Sequence, residues 1–154
     1  MKIVKPYGSW KSPVTSDLIV AGTISLADIA LDGDDVYWIE SRPTEGGRYV
    51  IVRPGQDAKA ADLTPQGFNV RTTVHEYGGG AYIVDSGAIY FSNFADQRLY
   101  RQAPGESPQP ITPSGKMRYA DGVVDRRRDR IYCVREGHTA GGRNAVNTLV
   151  SLNP

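Results

Sequence analysis

Asp32-Gly33-Asp34-Asp35-Val36-Tyr37-Trp38 is the stretch that decides the fold, because its pattern returns twice further along the chain. Each copy has an aspartate, a short polar turn and an aliphatic residue followed by tyrosine, and the later copies lie at 85–91 and 125–133. The tyrosines stand at positions 37, 90 and 132. A period of about 40 to 50 residues is typical of repeat proteins built from one supersecondary unit.

The sequence around these copies has the pattern of strands and turns. Short aliphatic and aromatic runs are bounded by Gly, Pro, Asp and Asn, and the chain contains 17 glycines and 10 prolines. No long stretch carries apolar residues at the 3.6-residue spacing of a helix. The pair Asp32-Gly33 between two apolar runs predicts a tight hairpin. The sequence therefore predicts an all-β protein.

Each repeat predicts a meander of up to four strands. The first has strands over 26–31, 36–40 and 49–53 and a weak fourth that ends at Leu63-Thr64-Pro65; the second has 81–84, 88–92, 99–102 and a closing Ile111-Thr112-Pro113; the third has 120–125, 130–135 and 146–152. Repeated four-stranded meanders are propeller blades, whereas a β-sandwich or another solenoid would not repeat in this way. We expect a partial β-propeller of about three four-stranded antiparallel blades, the third incomplete.

The repeats also predict domain borders. Residues 1–25 form an N-terminal extension, 26–66 blade 1, 67–114 blade 2 and 115–154 the incomplete blade 3. Complete propellers contain about four to eight blades, so we expect further blades outside this sequence.

Composition argues against several partners. Eighteen basic and 17 acidic residues give a net charge of +1, so no overall field attracts nucleic acid or an anionic membrane. No apolar run approaches the ~20 residues of a membrane span. Cys133 is the only cysteine, which excludes an intrachain disulfide, and its apolar surroundings predict a buried side chain. We expect a cytoplasmic protein.

Most potential functional groups lie between positions 69 and 80. In a meander, the links between second and third strands and between blades emerge on one face, and these loops contain both histidines. The candidate pore-facing or substrate-facing residues are Arg71, His75, Glu76 and Tyr77. We expect His138, in a glycine-rich loop over 136–142, to be a surface turn residue.

The same run fits no cofactor or metal motif. A helical His-Glu metal motif needs a second histidine four residues on, where position 79 is glycine. Gly78-Gly79-Gly80 lacks the lysine of a phosphate loop, and we expect these glycines to allow close backbone approach or a positive φ. No serine stands in a Gly-x-Ser-x-Gly elbow. We therefore assign no catalytic, cofactor-binding or metal-binding residue.

Several stretches in order resemble the N-terminal propeller of prolyl oligopeptidase family serine peptidases, in the acylaminoacyl-peptidase and dipeptidyl aminopeptidase-like branch. They are Tyr7 to Thr15, Val74 to Gly80, Phe91 to Tyr100 and Arg118 to Gly122. In that family a propeller covers a C-terminal α/β-hydrolase domain, which carries the Ser-Asp-His triad. That catalytic domain is absent from this sequence, so no catalytic residue transfers to it.

The resemblance implies a function for the chain. It would be the first part of a propeller that restricts access to short peptides and helps to hold them, inactive by itself. Its partners would be the remaining blades, the α/β-hydrolase domain and a peptide substrate. The alternative is a binding or scaffold module that associates with itself or with another chain, because an incomplete array leaves a blade face uncovered.

Overall fold

Three antiparallel sheets follow one another along the chain. The computed structural model describes residues 4–9, 11–20, 22–55, 59–138 and 144–154. The first sheet, called blade 1, contains β1 Ser25–Asp32, β2 Asp35–Arg42, β3 Arg48–Pro54 and β4 Ala60–Asp62; blade 2 contains β5 Tyr82–Asp85, β6 Ala88–Ser92, β7 Leu99–Gln102 and β8 Gln109–Pro110; blade 3 contains β9 Met117–Asp125, β10 Arg130–Gly137 and β11 Val146–Leu152.

Each sheet is a simple meander. The strand order is β1-β2-β3-β4 in blade 1, β5-β6-β7-β8 in blade 2 and β11-β10-β9 in blade 3. The first strands β1, β5 and β9 lie next to one another across the blades. This arrangement confirms the predicted all-β fold, a partial propeller whose third blade has three strands. The domain borders stay a prediction.

In the described residues, helix is confined to two short segments, α1 Ser16–Val20 and a 3₁₀ turn over Pro43–Glu45. No described helix is long and apolar enough to cross a membrane. Trp10 of the first family-like stretch and the loop residues Thr139 to Gly142 lie outside the described residues.

The hairpin predicted from Asp32-Gly33 is present. Asp32 pairs with Asp35, so two residues form the turn, and Gly33 has a φ of +61°. Blade 2 has the same two-residue connection, because Asp85 pairs with Ala88. A positive φ in such a turn matches the twist of the flanking strands, and glycine adopts it without steric cost.

The fourth strands lie earlier than the sequence predicts. The sequence predicts that the first ends at Leu63-Thr64-Pro65 and that the second closes at Ile111-Thr112-Pro113, whereas the ladders end at Asp62 and Pro110. At both sites a threonine side chain continues the pairing. Thr64 Oγ1 accepts from the Ile51 N–H at 3.2 Å, and Thr112 Oγ1 accepts from the Leu99 N–H at 2.9 Å. The hydroxyl replaces a backbone carbonyl, so the repeated threonine marks the end of blade 1 and of blade 2.

Removing this hydroxyl is expected to destabilise the protein. Thr112→Val keeps the side-chain shape but leaves the buried Leu99 N–H without its acceptor, which costs about 1–3 kcal/mol. Thr148→Val is the control, because that threonine is exposed and its free energy of unfolding should change by less than about 0.5 kcal/mol. Urea unfolding measures both variants. Equal losses would contradict this role for Thr112.

The main core lies between blades 1 and 2. Phe91 is 0% exposed and packs edge-on against Phe68, with ring centres 5.7 Å apart, and stacks on Tyr100 at 5.8 Å. Tyr37 and Ile39 enter the same cluster from blade 1. Tyr37 and Ile89, from the first two aliphatic-Tyr pairs, therefore meet in the core between the blades. Burial of this aromatic surface is the principal source of stability here.

Two smaller clusters join blades 2 and 3. Tyr90 and Ile131 lie in one, and Leu99, Tyr119 and Cys133 in the other. Cys133 is 2% exposed, which confirms its predicted burial, and this burial raises the pKa of its thiol to about 11. The thiol is therefore protonated and inert at neutral pH.

The aspartates of the repeat connect the blades. Asp32 accepts from the Gly87 N–H of the next blade at 2.7 Å. Arg126 of blade 3 forms ion pairs with Asp32 and with Asp85, so one side chain links all three blades. Sequence reasoning assigned no role to the basic run at 126–128. Its residues are exposed, but the partners of Arg126 come from two other blades.

Candidate functional site

The link between blades 1 and 2 carries the four candidate residues. Val70 pairs with Asn93, and the Arg71 N–H donates to the Ser92 carbonyl at 3.0 Å, so the link is tied to the end of β6. Thr73 is held in addition by the Gln97 side chain at 2.9 Å. The link then reaches β9 and β10 of blade 3. We call the end of the three blades at which this link, residues 69–80, lies the loop face.

The structure separates the four candidates into two groups. His75 and Glu76 lie against blade 3, where Glu136 and Arg118 meet them. Arg71 and Tyr77 line a cavity on the blade 1 side. His75 and Tyr77 still approach each other, with ring centres 6.0 Å apart.

Glu136 is the centre of the first group. Its side chain is 3% exposed and accepts from the His75 N–H at 2.7 Å and from Arg118 at 3.1 Å. The His138 ring nitrogen Nε2 lies 2.6 Å from the same carboxylate. His138 is therefore a partner of a buried acid rather than only a surface turn residue. Burial acts to raise the pKa of Glu136, but these hydrogen bonds and charges outweigh it and lower the pKa below its ordinary value.

Arg118 fills the space between two carboxylates. It donates to Glu76 at 2.9 Å, to Glu136 at 3.1 Å and to the Thr73 carbonyl at 2.8 Å. The side chains of Glu76, Glu136 and His138 place ligand-type atoms within 4.8 Å of one another. Because Arg118 already contacts both acids, this group is an ion-pair network that joins the link to blade 3.

The backbone at this point is unusual. His75 has a φ of +56° and Glu76 a φ of +67°, both in the left-handed region. Non-glycine residues adopt this conformation at a cost of about 1–3 kcal/mol each, so the surroundings must enforce it. The hydrogen bond from the His75 N–H to Glu136 is the contact that does so.

The Glu136 network should make stability depend on pH. The folded pKa of Glu136 is lowered from 4.5, so its contribution is present above that value and is lost as the pH falls through the folded pKa. We expect the free energy of unfolding of the unmodified protein to approach that of Glu136→Gln as the pH falls below about 4.5. Urea unfolding from pH 7 to pH 3 measures both proteins. A constant difference across this range would contradict the prediction.

The second group surrounds a cavity of about 180 Å³. Arg71 forms part of its wall, and its guanidinium carbon lies 5.6 Å from the centre of the Tyr49 ring and 5.1 Å from that of Phe94. Asp28 and Tyr77 also line the cavity. Tyr77 is 88% exposed, so its ring is free to contact a ligand.

Gly78 and Gly79 form part of the cavity wall, and Gly80 follows them next to blade 3. Gly78 has a φ of +100°, and a Cβ atom on Gly79 would lie 2.9 Å from the Asp121 carboxylate. The Gly80 N–H donates to Asp121 Oδ1 at 2.7 Å. Both roles expected for these glycines, a positive φ and a close approach, are confirmed.

Asp28 and Asp121 occupy equivalent positions at β-bulges. Each interrupts the register of the first strand of its blade, and their φ values are +48° and +56°. The bulge turns the Asp121 carboxylate toward Gly80 of the preceding blade. The segments 27–32 and 120–125 both begin with Ala-Asp and end with an aliphatic residue and Asp. This similarity corresponds to a repeated bulge.

Sequence reasoning missed Arg118 and Glu136 as members of the site. The two residues are direct cross-strand partners in β9 and β10. Opposite charges at paired positions are a usable signal only when the register is known. Nothing in the local pattern around Glu136 separates it from an ordinary charge at the end of a strand.

Successive antiparallel meanders that pack through their first strands define the chain as part of a β-propeller. Solved structures give the comparison with known proteins. A puromycin-hydrolyzing peptidase from Mycobacterium tuberculosis is 33% identical, with a TM-score of 0.81, and the match covers 99% of this chain and 25% of that protein. The resemblance of this chain to the N-terminal propeller portion of prolyl oligopeptidase family peptidases is therefore confirmed.

Two crystal structures of puromycin hydrolase match in the same way. A mutant complexed with PGG gives a TM-score of 0.80 and a second structure gives 0.79, each at 33% identity over 97% of this chain. The chain spans about a quarter of the length of these proteins. No protein-family model and no curated protein matches the sequence.

Proposed function

We propose that the chain is the part of a peptidase propeller that admits short peptides and positions them for a separate α/β-hydrolase domain. The similarity to puromycin-hydrolyzing peptidases over 99% of the chain is the observation that carries this proposal. The described residues contain three blades, and the relatives are about four times as long. The remaining blades and the hydrolase domain are its proposed partners, and the chain alone is inactive.

The loop face supports this role. It contains an arginine beside an open cavity and exposes Tyr77, while the strained His75-Glu76 turn is held by blade 3. Functional loops on a rigid β scaffold are the usual location of binding residues. The proposed compartment is the cytoplasm, since a lone cysteine requires no oxidising environment.

A chimera tests the proposal. The matching quarter of the puromycin-hydrolyzing peptidase would be replaced by this chain, and hydrolysis of a chromogenic aminoacyl substrate and of a 30-residue peptide would be compared. We expect the chimera to cleave the small substrate and to reject the long one, whereas the same peptidase with the quarter deleted should lose this discrimination. The isolated chain should show no turnover with either substrate.

Two outcomes would count against it. One is a folded chimera that cleaves the long peptide as readily as the deletion protein does, because the blades would then have no role in access. The other is turnover by the isolated chain that a serine-directed inhibitor abolishes, because catalysis would then reside in these residues.

A second candidate function is self-association, and the exposed blade faces favour it. On blade 1, Leu26 and Leu31 are each 70% exposed; on blade 3, Val123 is 64% exposed and Leu149 is 82% exposed. Within a ring such faces pack against neighbouring blades. Two copies could cover them by pairing blade 1 of one copy with blade 3 of the other.

Sedimentation equilibrium distinguishes the two candidates. Under the self-association hypothesis we expect a defined dimer, which Leu149→Lys converts to monomer because a charge enters the apolar contact. Leu18→Lys is the matched control, since Leu18 is 59% exposed on α1 and belongs to none of the three sheets. A monodisperse monomer at all concentrations would exclude the self-association hypothesis.

A further inference from the structure

The guanidinium of Arg71 contacts aromatic rings and has no acidic partner among the described residues. Two aromatic rings, Tyr49 and Phe94, lie 5.6 Å and 5.1 Å from its guanidinium carbon. Within the described part of the chain, no carboxylate lies within ion-pair distance of it. This contrasts with Arg42, Arg48 and Arg118, each of which pairs with at least two acids or carbonyls.

Contacts with blades 1 and 2 hold Arg71 in position. Its backbone N–H donates to Ser92 in blade 2, while one of its two rings belongs to β3 of blade 1. The contacts with aromatic rings restrict the guanidinium but use none of its N–H donors. A restricted guanidinium loses little conformational entropy when it binds, so it is organised to accept a planar anion through two parallel hydrogen bonds.

The cavity beside Arg71 shows where such an anion would lie. Its volume is about 180 Å³, well above the few tens of Å³ that a single water needs. Arg71, Tyr77, Gly78 and Gly79 form part of the wall. The two glycines place no side chain in the wall, and a Cβ atom on Gly79 would lie 2.9 Å from the Asp121 carboxylate.

Asp28 restricts the charge of the ligand. Asp28 is on the wall of the same cavity, and no ion pair joins it to Arg71 in the residues that the structure describes. A phosphate carries up to two negative charges and would be repelled by Asp28. A carboxylate carries one negative charge. A peptide that offers a carboxylate to Arg71 and a cationic or N–H group to Asp28 satisfies both side chains.

We propose that Arg71 binds the free carboxylate of a short peptide in this cavity. The inference rests on the proposed function and specifies one of its contacts. Arg71 makes two charge-assisted hydrogen bonds to the carboxylate, and Tyr77 covers the adjoining residue with its exposed ring. Peptides with a free carboxyl end are therefore bound more tightly than the same peptides with a terminal amide.

Nuclear magnetic resonance titration of the full chain tests this proposal. The probes are triglycine and triglycine amide, and the signal is the Arg71 Nε–H resonance, assigned by its loss in Arg71→Gln. We expect triglycine to shift this resonance and to bind about tenfold more tightly than the amide, the factor that corresponds to one charge-assisted hydrogen bond. Arg71→Gln should bind both probes equally weakly, and Arg71→Lys should recover part of the preference.

Arg127→Gln is the matched control. Arg127 is an exposed arginine in the turn after β9 and does not line the cavity, so its replacement should leave the preference for triglycine unchanged. The amide spectra of the variants show whether they remain folded. A variant that unfolds is replaced by Tyr77→Ala, which leaves Arg71 in place and should weaken binding of both probes alike.

Three results would overturn the proposal. These are equal binding of triglycine and its amide, an unchanged preference in Arg71→Gln, and tighter binding of inorganic phosphate than of triglycine. The outcome is independent of the gating experiment. If the chimera discriminates by length but triglycine does not shift the Arg71 resonance, only the carboxylate site is wrong. If triglycine binds through Arg71 but the chimera does not discriminate by length, only the gating role is wrong.

Discussion

Glu136→Ala is expected to lower the free energy of unfolding by about 3–5 kcal/mol. Glu136 is 2% exposed and accepts hydrogen bonds from the His75 N–H, from Arg118 and from His138. Its removal takes one of three acceptors from Arg118 and leaves the N–H of His75, which has left-handed backbone, without its carboxylate acceptor. Because domains are stable by only about 5–15 kcal/mol, this single change should remove a large part of the stability.

Glu76→Ala is the matched control for this prediction. Glu76 also binds Arg118, at 2.9 Å, but its side chain is 77% exposed against 3% for Glu136. An exposed ion pair contributes about 0–1 kcal/mol, so we expect a small change. Urea unfolding at pH 7 measures both variants. Losses of similar size would show that burial of the carboxylate is not the cause.

Phe91→Ala should produce an effect of similar size at the interface of blades 1 and 2. The ring is 0% exposed and contacts both Phe68 and Tyr100, with centres 5.7 Å and 5.8 Å away. Its removal creates a cavity in the main core, which costs about 3–5 kcal/mol. We expect the two blades to lose their fixed packing, with a corresponding fall in near-ultraviolet circular dichroism.

Phe94→Ala controls for the loss of an aromatic ring as such. Phe94 is 40% exposed and its ring lies over Arg71 at the cavity, so we expect a loss of about 1 kcal/mol or less. Thermal unfolding compares the two variants. If Phe94→Ala were as destabilising as Phe91→Ala, the main stabilising contact would lie at the loop face rather than between the blades.

The strands and turns were predictable because they depend on local chemistry. The turn at Gly33 follows from its glycine, and the burial of Tyr37 and Cys133 follows from short apolar runs between turns. The order of the meanders follows from the repeat. The positions of the fourth strands were less accurate, because the sequence alone does not show that the hydroxyls of Thr64 and Thr112 take the place of a backbone carbonyl.

The candidate site was predictable only in part. All four candidates lie on one link at the loop face, and their role stays a prediction. The pattern did not show that His75 and Glu76 serve an ion-pair network while Arg71 and Tyr77 line a cavity. That division depends on Glu136, which is 61 positions from His75 in the chain.

The sequence by itself determined the repeated blade, its strand order, its turns and the family that it resembles, because turn chemistry and strand periodicity act over a few neighbouring residues. Only the tertiary structure decided which charges are paired. Arg118 meets two acids and Arg126 connects three blades, whereas Arg71 is left with aromatic neighbours alone. The physical reason is that an ion pair depends on the register and packing of separate blades, which local sequence does not encode.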